Sequence, residues 1–147
     1  MNYVSSHRSG SFMEPSQLIL DLLLRKVHAS ASGEQEHAFL MDVGRDLAAR
    51  FPLGEAESLS SLEEKINDLW HMLDLGVAAI TLGQDAVMIR HDLPDGTGRL
   101  ASAWRSAVPA IVQGSYDAWL RALGSGPRLT TSQVGQSADH VEFRHGA

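Results

Sequence analysis

"VAAITLGQDAVMIRHDLP", residues 77–94, decides the fold class of this 147-residue chain. Upstream of it apolar residues recur every three or four positions. Inside it they alternate every two. That switch of period turns a helical reading into an α+β one. "VAAITL" (77–82) and "AVMIRH" (86–91) read as short strands joined through "GQD" into a hairpin. Ile80, Leu82, Val87 and Ile89 are expected on its buried side.

Upstream, "PSQLILDLLLRKVHA" (15–29) opens on Pro15 and Ser16, which suit a helix start, and carries Leu18, Leu22 and Val27 at helical spacing. "SASGEQ" breaks the pattern, and Ser32 with Gln35 fits a capping box. Phe39, Val43, Leu47 and Phe51 then recur every four residues, flanked by Leu40 and Ala48, as the apolar face of a second helix that Pro52 and Gly54 stop. Ser61 with Glu64 predicts the cap of a third helix. Its stripe is Leu62, Ile66, Leu69, Trp70 and Leu73, and Gly76 suits its C′ position.

Downstream, the chain leaves the hairpin through "DLPDGTG". Thr97 is placed to cap a long helix with Leu100, Trp104, Val108, Ile111, Val112, Trp119 and Leu123 on its apolar positions. Pro109 and Gly114 predict a kink. "GSGP" ends the helix, and "RLTTSQVG" and "HVEFRH" predict one or two further strands. The expected organisation is a flexible N-terminal arm, residues 1–13, and a single α+β domain, residues 14–147, with N-terminal helices, a β-hairpin, a long kinked helix and C-terminal strands.

Composition removes whole classes of function. The chain has no cysteine, which excludes disulfides, thiolate zinc sites and cysteine nucleophiles. A net charge of −6 without a Lys/Arg run gives no footprint for nucleic acid. The most apolar early run, "LILDLLL" (18–24), is far shorter than the about 20 residues a bilayer requires. Flanked by Glu14 and interrupted by Asp21, it does not read as an export signal either, so the expected location is cytoplasmic.

Polar clusters offer little catalytic chemistry. His91 and Asp92 are adjacent on an extended segment, so their side chains point to opposite faces and the pair reads as a structural junction. His140 and His145 likewise fall on opposite faces of one strand. With His28, His37 and His71 they read as solvated surface rather than ligands, and no metal site is expected. Glu63-Glu64, Asp92/Asp95 and Glu55/Glu57 are candidate acid–base pairs. The first is explained by the helix macrodipole. No serine sits in a nucleophile elbow, and "ALGSGPR" (122–128) reads as a helix stop. Tyr116 and Trp119, three apart on a helix, share a face suited to core or interface packing.

The order of motifs says more. "VGRDLAARF" (43–51), "LEEKINDLWHMLDLG" (62–76), a hairpin ending "MIRHDLP" and "GSYDAW" (114–119) together resemble the bacterial cellulose synthase D-subunit family (cellulose synthase operon protein D) over residues 34–121. The matching positions are Gly44, Arg45, Ala48, Arg50 and Phe51; Asn67 and Gly76; Ile89, His91, Asp92, Leu93 and Pro94; and Gly114, Tyr116 and Trp119. The resemblance implies a non-catalytic accessory subunit without a cofactor. It implies a homo-octameric ring, a tetramer of dimers, that organises synthase complexes or guides glucan chains for export and crystallisation. Partners implied are the cellulose synthase complex at the inner membrane, a Pro-rich accessory protein and glucan itself. The family's frequent placement in the periplasm is the alternative to a cytoplasmic location. Tyr3, Ser5, Ser6 and His7 on the arm are the candidate glucan contacts, and Trp104, Tyr116 and Trp119 the candidate subunit interface. Two other classes compete: a small-ligand-binding α+β module of the vinyl-reductase or vesicle-tethering type, by likeness of topology alone, and an enzyme working through His91 and Asp92.

Overall fold

The structure, a computed structural model, describes residues 15–94 and 102–147. The arm with Tyr3, Ser5, Ser6 and His7, and the Thr97 cap, lie outside the described residues. Four helices, α1 (Pro15–Ser30), α2 (Gly33–Arg50), α3 (Leu59–Leu73) and α4 (Ser102–Leu120), accompany four strands. The strands are β1 (Val77–Leu82), β2 (Ala86–Asp92), β3 (Thr130–Gln136) and β4 (His140–Gly146). They form one antiparallel sheet in the order β1-β2-β4-β3. The α+β class and the hairpin follow the sequence reading, and both tail segments are strands.

The sheet's inner face is Ala78, Ile80, Ile89, Val141 and Phe143. It packs against Leu62, Ile66, Leu69 and Trp70 of α3 and Val108, Val112, Tyr116 and Trp119 of α4. Leu82, expected inside, is 74% exposed. It keeps the alternation of β1 but lies at the hairpin tip, beyond the reach of the helices. The outer edge of β1 is not open. Asn67 of α3 donates to the Ala78 carbonyl and accepts from its N–H (2.8 and 2.7 Å), and Glu63 accepts from Ile80 N–H (2.7 Å). Edge groups that would template foreign strands are thereby satisfied within the chain. Glu63 is an edge clamp rather than a solvated first-turn acid.

The caps match expectation at one helix and are displaced at another. Both bonds of the Ser32–Gln35 box are present, at 3.1 and 2.9 Å. Helix α3 instead starts three residues early, with Ser58 accepting from Ser61 N–H. It ends on Asp74 in the left-handed conformation (φ 56°), not on Gly76. A β-carbon strains that conformation, and a carboxylate there opposes the helix dipole. Asp74→Gly is expected to stabilise the fold by about 1 kcal/mol, read as a higher denaturation midpoint at constant m.

Helix α4 runs through Pro109 and Gly114 without a break. Its irregularity lies at the far end, in a π-helical turn at Arg121–Ser125 in which Gly124 takes φ 111°. No break occurs at Gly114, which serves packing instead. A β-carbon on Gly114 would fall 2.0 Å from the Met41 carbonyl oxygen of α2, and one on Gly44 would fall 1.9 Å from that of Ile111. The two helices therefore cross backbone to backbone, with Ser115 Oγ donating across to the Gly44 carbonyl (2.8 Å).

Candidate functional site

The His91 junction is structural. His91 is fully buried, while Asp92 on the opposite face is exposed and pairs with Arg90 at 3.0 Å. Trp70 Nε1–H donates to Tyr116 Oη (2.9 Å), Tyr116 O–H donates to His91 Nδ1 (2.6 Å), and His91 Nε2–H donates to the Leu75 carbonyl (2.7 Å). One neutral tautomer satisfies every member of this chain, so a polar network sits in the apolar core with no group left over. Burial, opposed by the Leu75 bond and by Asp92, holds the His91 pKa down from 6.5 to about 4. Burial also pushes the Tyr116 phenol up. No substrate can reach the His91 ring, which disposes of the enzyme built on His91 and Asp92.

Of the subunit contact expected at Trp104, Tyr116 and Trp119, the last two are corrected on the same grounds. Tyr116 is fully buried and Trp119 is 3% exposed. Trp119 Nε1–H is spent on the Phe51 carbonyl (3.1 Å). Trp104 is half-buried against the chain's own core. Tyr116 and Trp119 hold α4 to α3, to the sheet and to the end of α2, while Trp104 keeps part of its surface open.

Of the other signature residues, Pro94 and Arg45 brace the frame. Pro94 is buried, and its carbonyl accepts from the Arg105 guanidinium. Arg45 reaches the buried Asp117 carboxylate at 3.7 Å. Arg121 lies 2.9 Å from that carboxylate, which also accepts from Thr131 N–H (3.0 Å). Arg50 is exposed in the last turn of α2. His145 corrects the surface reading given to the histidines: it is 2% exposed, whereas His28, His37 and His71 are exposed. Among the described residues no group of three His, Asp or Glu is placed to hold a metal.

The fold leaves large apolar side chains of α1 and α2 uncovered. Helix α2 faces α4 with Leu40, Gly44 and Ala48, one position from the Phe39–Val43–Leu47–Phe51 stripe expected from side-chain size. Phe39 and Val43 are consequently turned out, 51% and 40% exposed. In helix α1 Asp21 and Leu24 are buried. Leu18, Ile19, Leu22 and Leu23 remain about half exposed. Such helix surface is the mark of a partner-binding face.

The family model for the D subunit of cellulose synthase matches residues 3–146, nearly the whole chain. The chain belongs to the cellulose synthase D-subunit family. The match takes in the arm and the C-terminal strands as well as the motifs at 34–121. Two relatives, the cellulose synthase operon proteins D of Komagataeibacter xylinus and of Komagataeibacter sucrofermentans, are each 28% identical over 132 residues, 86% of this chain and 76% of theirs. Membership gives the chain its role as an accessory subunit of cellulose biosynthesis. Among the described residues no helix is long and apolar enough to cross a membrane.

Proposed function

We propose that this cellulose synthase accessory protein assembles into a homo-octameric ring, a tetramer of dimers. The ring organises synthase complexes on the cytoplasmic side of the inner membrane and takes no part in glucan bond formation. The observation that carries the reading is the exposed apolar surface of α1 and α2. A subunit with Leu18, Ile19, Leu22, Leu23, Phe39 and Val43 open to water gains by burying them against a copy of itself, and closed symmetry does so without leaving a free end. Its partners are the synthase complex and a Pro-rich accessory protein. Tyr3, Ser5, Ser6 and His7 are proposed to contact glucan.

Native mass spectrometry at micromolar protein tests the assembly. The wild-type chain is expected at about eight copies. Ile19→Glu combined with Phe39→Glu, both on exposed positions that leave the subunit core intact, is expected to lower the mass to dimer or monomer with an unchanged circular dichroism spectrum. A monomeric wild type, or an undisturbed ring in the variant, sinks the proposal.

A further inference from the structure

Past the C-terminal end of α4 lies a polar array separate from the His91 network. Ser125 Oγ is 2.9 Å from His145 Nε2, and His145 Nδ1 is 2.7 Å from Thr131 Oγ1. The Asp117 carboxylate stands 3.9 Å from the same Nδ1. A carboxylate on that side favours the tautomer with the proton on Nδ1, which donates to Thr131 and leaves Nε2 free to accept the Ser125 hydroxyl. Nucleophile, base and orienting groups thus stand in the order that activates a serine. Burial also holds the His145 pKa below its ordinary value, against Asp117, so the ring is the neutral base at pH 7.

The setting is that of a site. Ser125 is half-buried and flanked by Gly124 (φ 111°) and Gly126 (φ 81°). Those conformations present its side chain from a turn that ordinary residues would strain. Ser125 and His145 are among the polar groups lining a cavity of about 500 Å³ whose walls include Leu59, Leu62, Leu120, Leu123 and Leu129. An apolar pocket with a few convergent polar groups is the usual form of a small-molecule site.

We propose that Ser125 is a nucleophile activated by His145, and that the cavity accepts esters of short apolar carboxylic acids. The Ser125 hydroxyl proton passes to His145 Nε2 as Oγ bonds to the ester carbonyl carbon. The bond from that carbon to the leaving oxygen breaks, and the leaving oxygen takes the proton from Nε2. Water repeats the sequence on the acyl-serine, releases the carboxylic acid and restores the hydroxyl. Thr131 and Asp117 position the imidazole. This activity is independent of the ring.

The test uses the full chain with 4-nitrophenyl butyrate, following nitrophenolate release and mapping the acyl adduct by peptide mass spectrometry. The adduct is expected on Ser125, and Ser125→Ala is expected to slow release by about a hundredfold, the lower end of what a positioned base contributes. An adduct confined to Lys26, Lys65 or the N-terminus, or no adduct, overturns the proposal even if the alanine variant misfolds. Thr131→Val keeps the nucleophile but removes the acceptor of Nδ1–H. It is expected to move the pH midpoint of acylation downward. The charges facing the ring, Asp117 and Arg121 at the end of α4 with Arg45 of α2 beyond them, stay in place. An unmoved midpoint overturns the relay through Thr131.

Discussion

Gly44→Ala lowers the stability of the subunit by about 3 kcal/mol, the upper range of overpacking. On an ordinary helix the same change is favourable by about 1 kcal/mol, because alanine restricts the unfolded chain and glycine does not. Here the sign inverts. The new methyl would lie 1.9 Å from the Ile111 carbonyl oxygen and 3.0 Å from the Ser115 nitrogen, all backbone, and no rotamer change can relieve it. The helices have to move apart, breaking the Ser115 Oγ–Gly44 bond and loosening Ala48 and Leu40 on either side. Gly114→Ala, facing the Met41 carbonyl at 2.0 Å, is expected to act alike. Because one separation relieves both clashes, the double variant loses less than the two singles together. Denaturation at fixed protein concentration measures this, since assembly adds a concentration term. Additive losses, or a gain in either single variant, would show that α2 and α4 do not meet as described.

The second large effect belongs to His91. Its imidazole stays neutral in the fold with a pKa of about 4, while the unfolded chain protonates it near 6.5. Between those values the unfolded state holds the extra proton. The contribution is therefore whole above about pH 6.5 and drains away as the pH falls toward 4, by about 3 kcal/mol. His91→Phe preserves ring volume but leaves the Leu75 carbonyl and the Tyr116 hydroxyl without their partner, costing about 3 kcal/mol at pH 7. The variant is also expected to lose most of the slope between pH 4 and 6.5, retaining the share of His145, which burial pushes the same way. Stability measured across that interval decides it. A variant slope equal to that of the wild type would mean that His91 is not the group held neutral.

Much of the frame is legible in residues. The hairpin stands out because a period of two is unmistakable beside a period of four, and the Ser32–Gln35 box because its chemistry is local. Leu62, Ile66, Leu69 and Trp70 mark the buried face of α3 because large apolar side chains there alternate with charged ones. The family is legible in the order of its motifs, and the match over residues 3–146 bears it out. The role of those motif residues is not. Gly44 and Gly114 carry no pattern that announces a helix crossing, and Tyr116 gives no sign of bonding Trp70 and His91 across 46 and 25 positions of sequence.

The sequence by itself determined where the chain turns helical, where it turns extended, and that it has no cysteine chemistry, because capping, alternation and composition act within a few residues. Only the tertiary structure decided which face of α1 and of α2 is inside. Helices α1 and α2 carry more apolar surface than one subunit can cover, so periodicity alone left two answers open. The close approach of α2 and α4 through Gly44 and Gly114 chose between them for α2. It put Gly44 and Ala48 in with Leu40 and turned Phe39 and Val43 out, because backbones can meet only where side chains are absent.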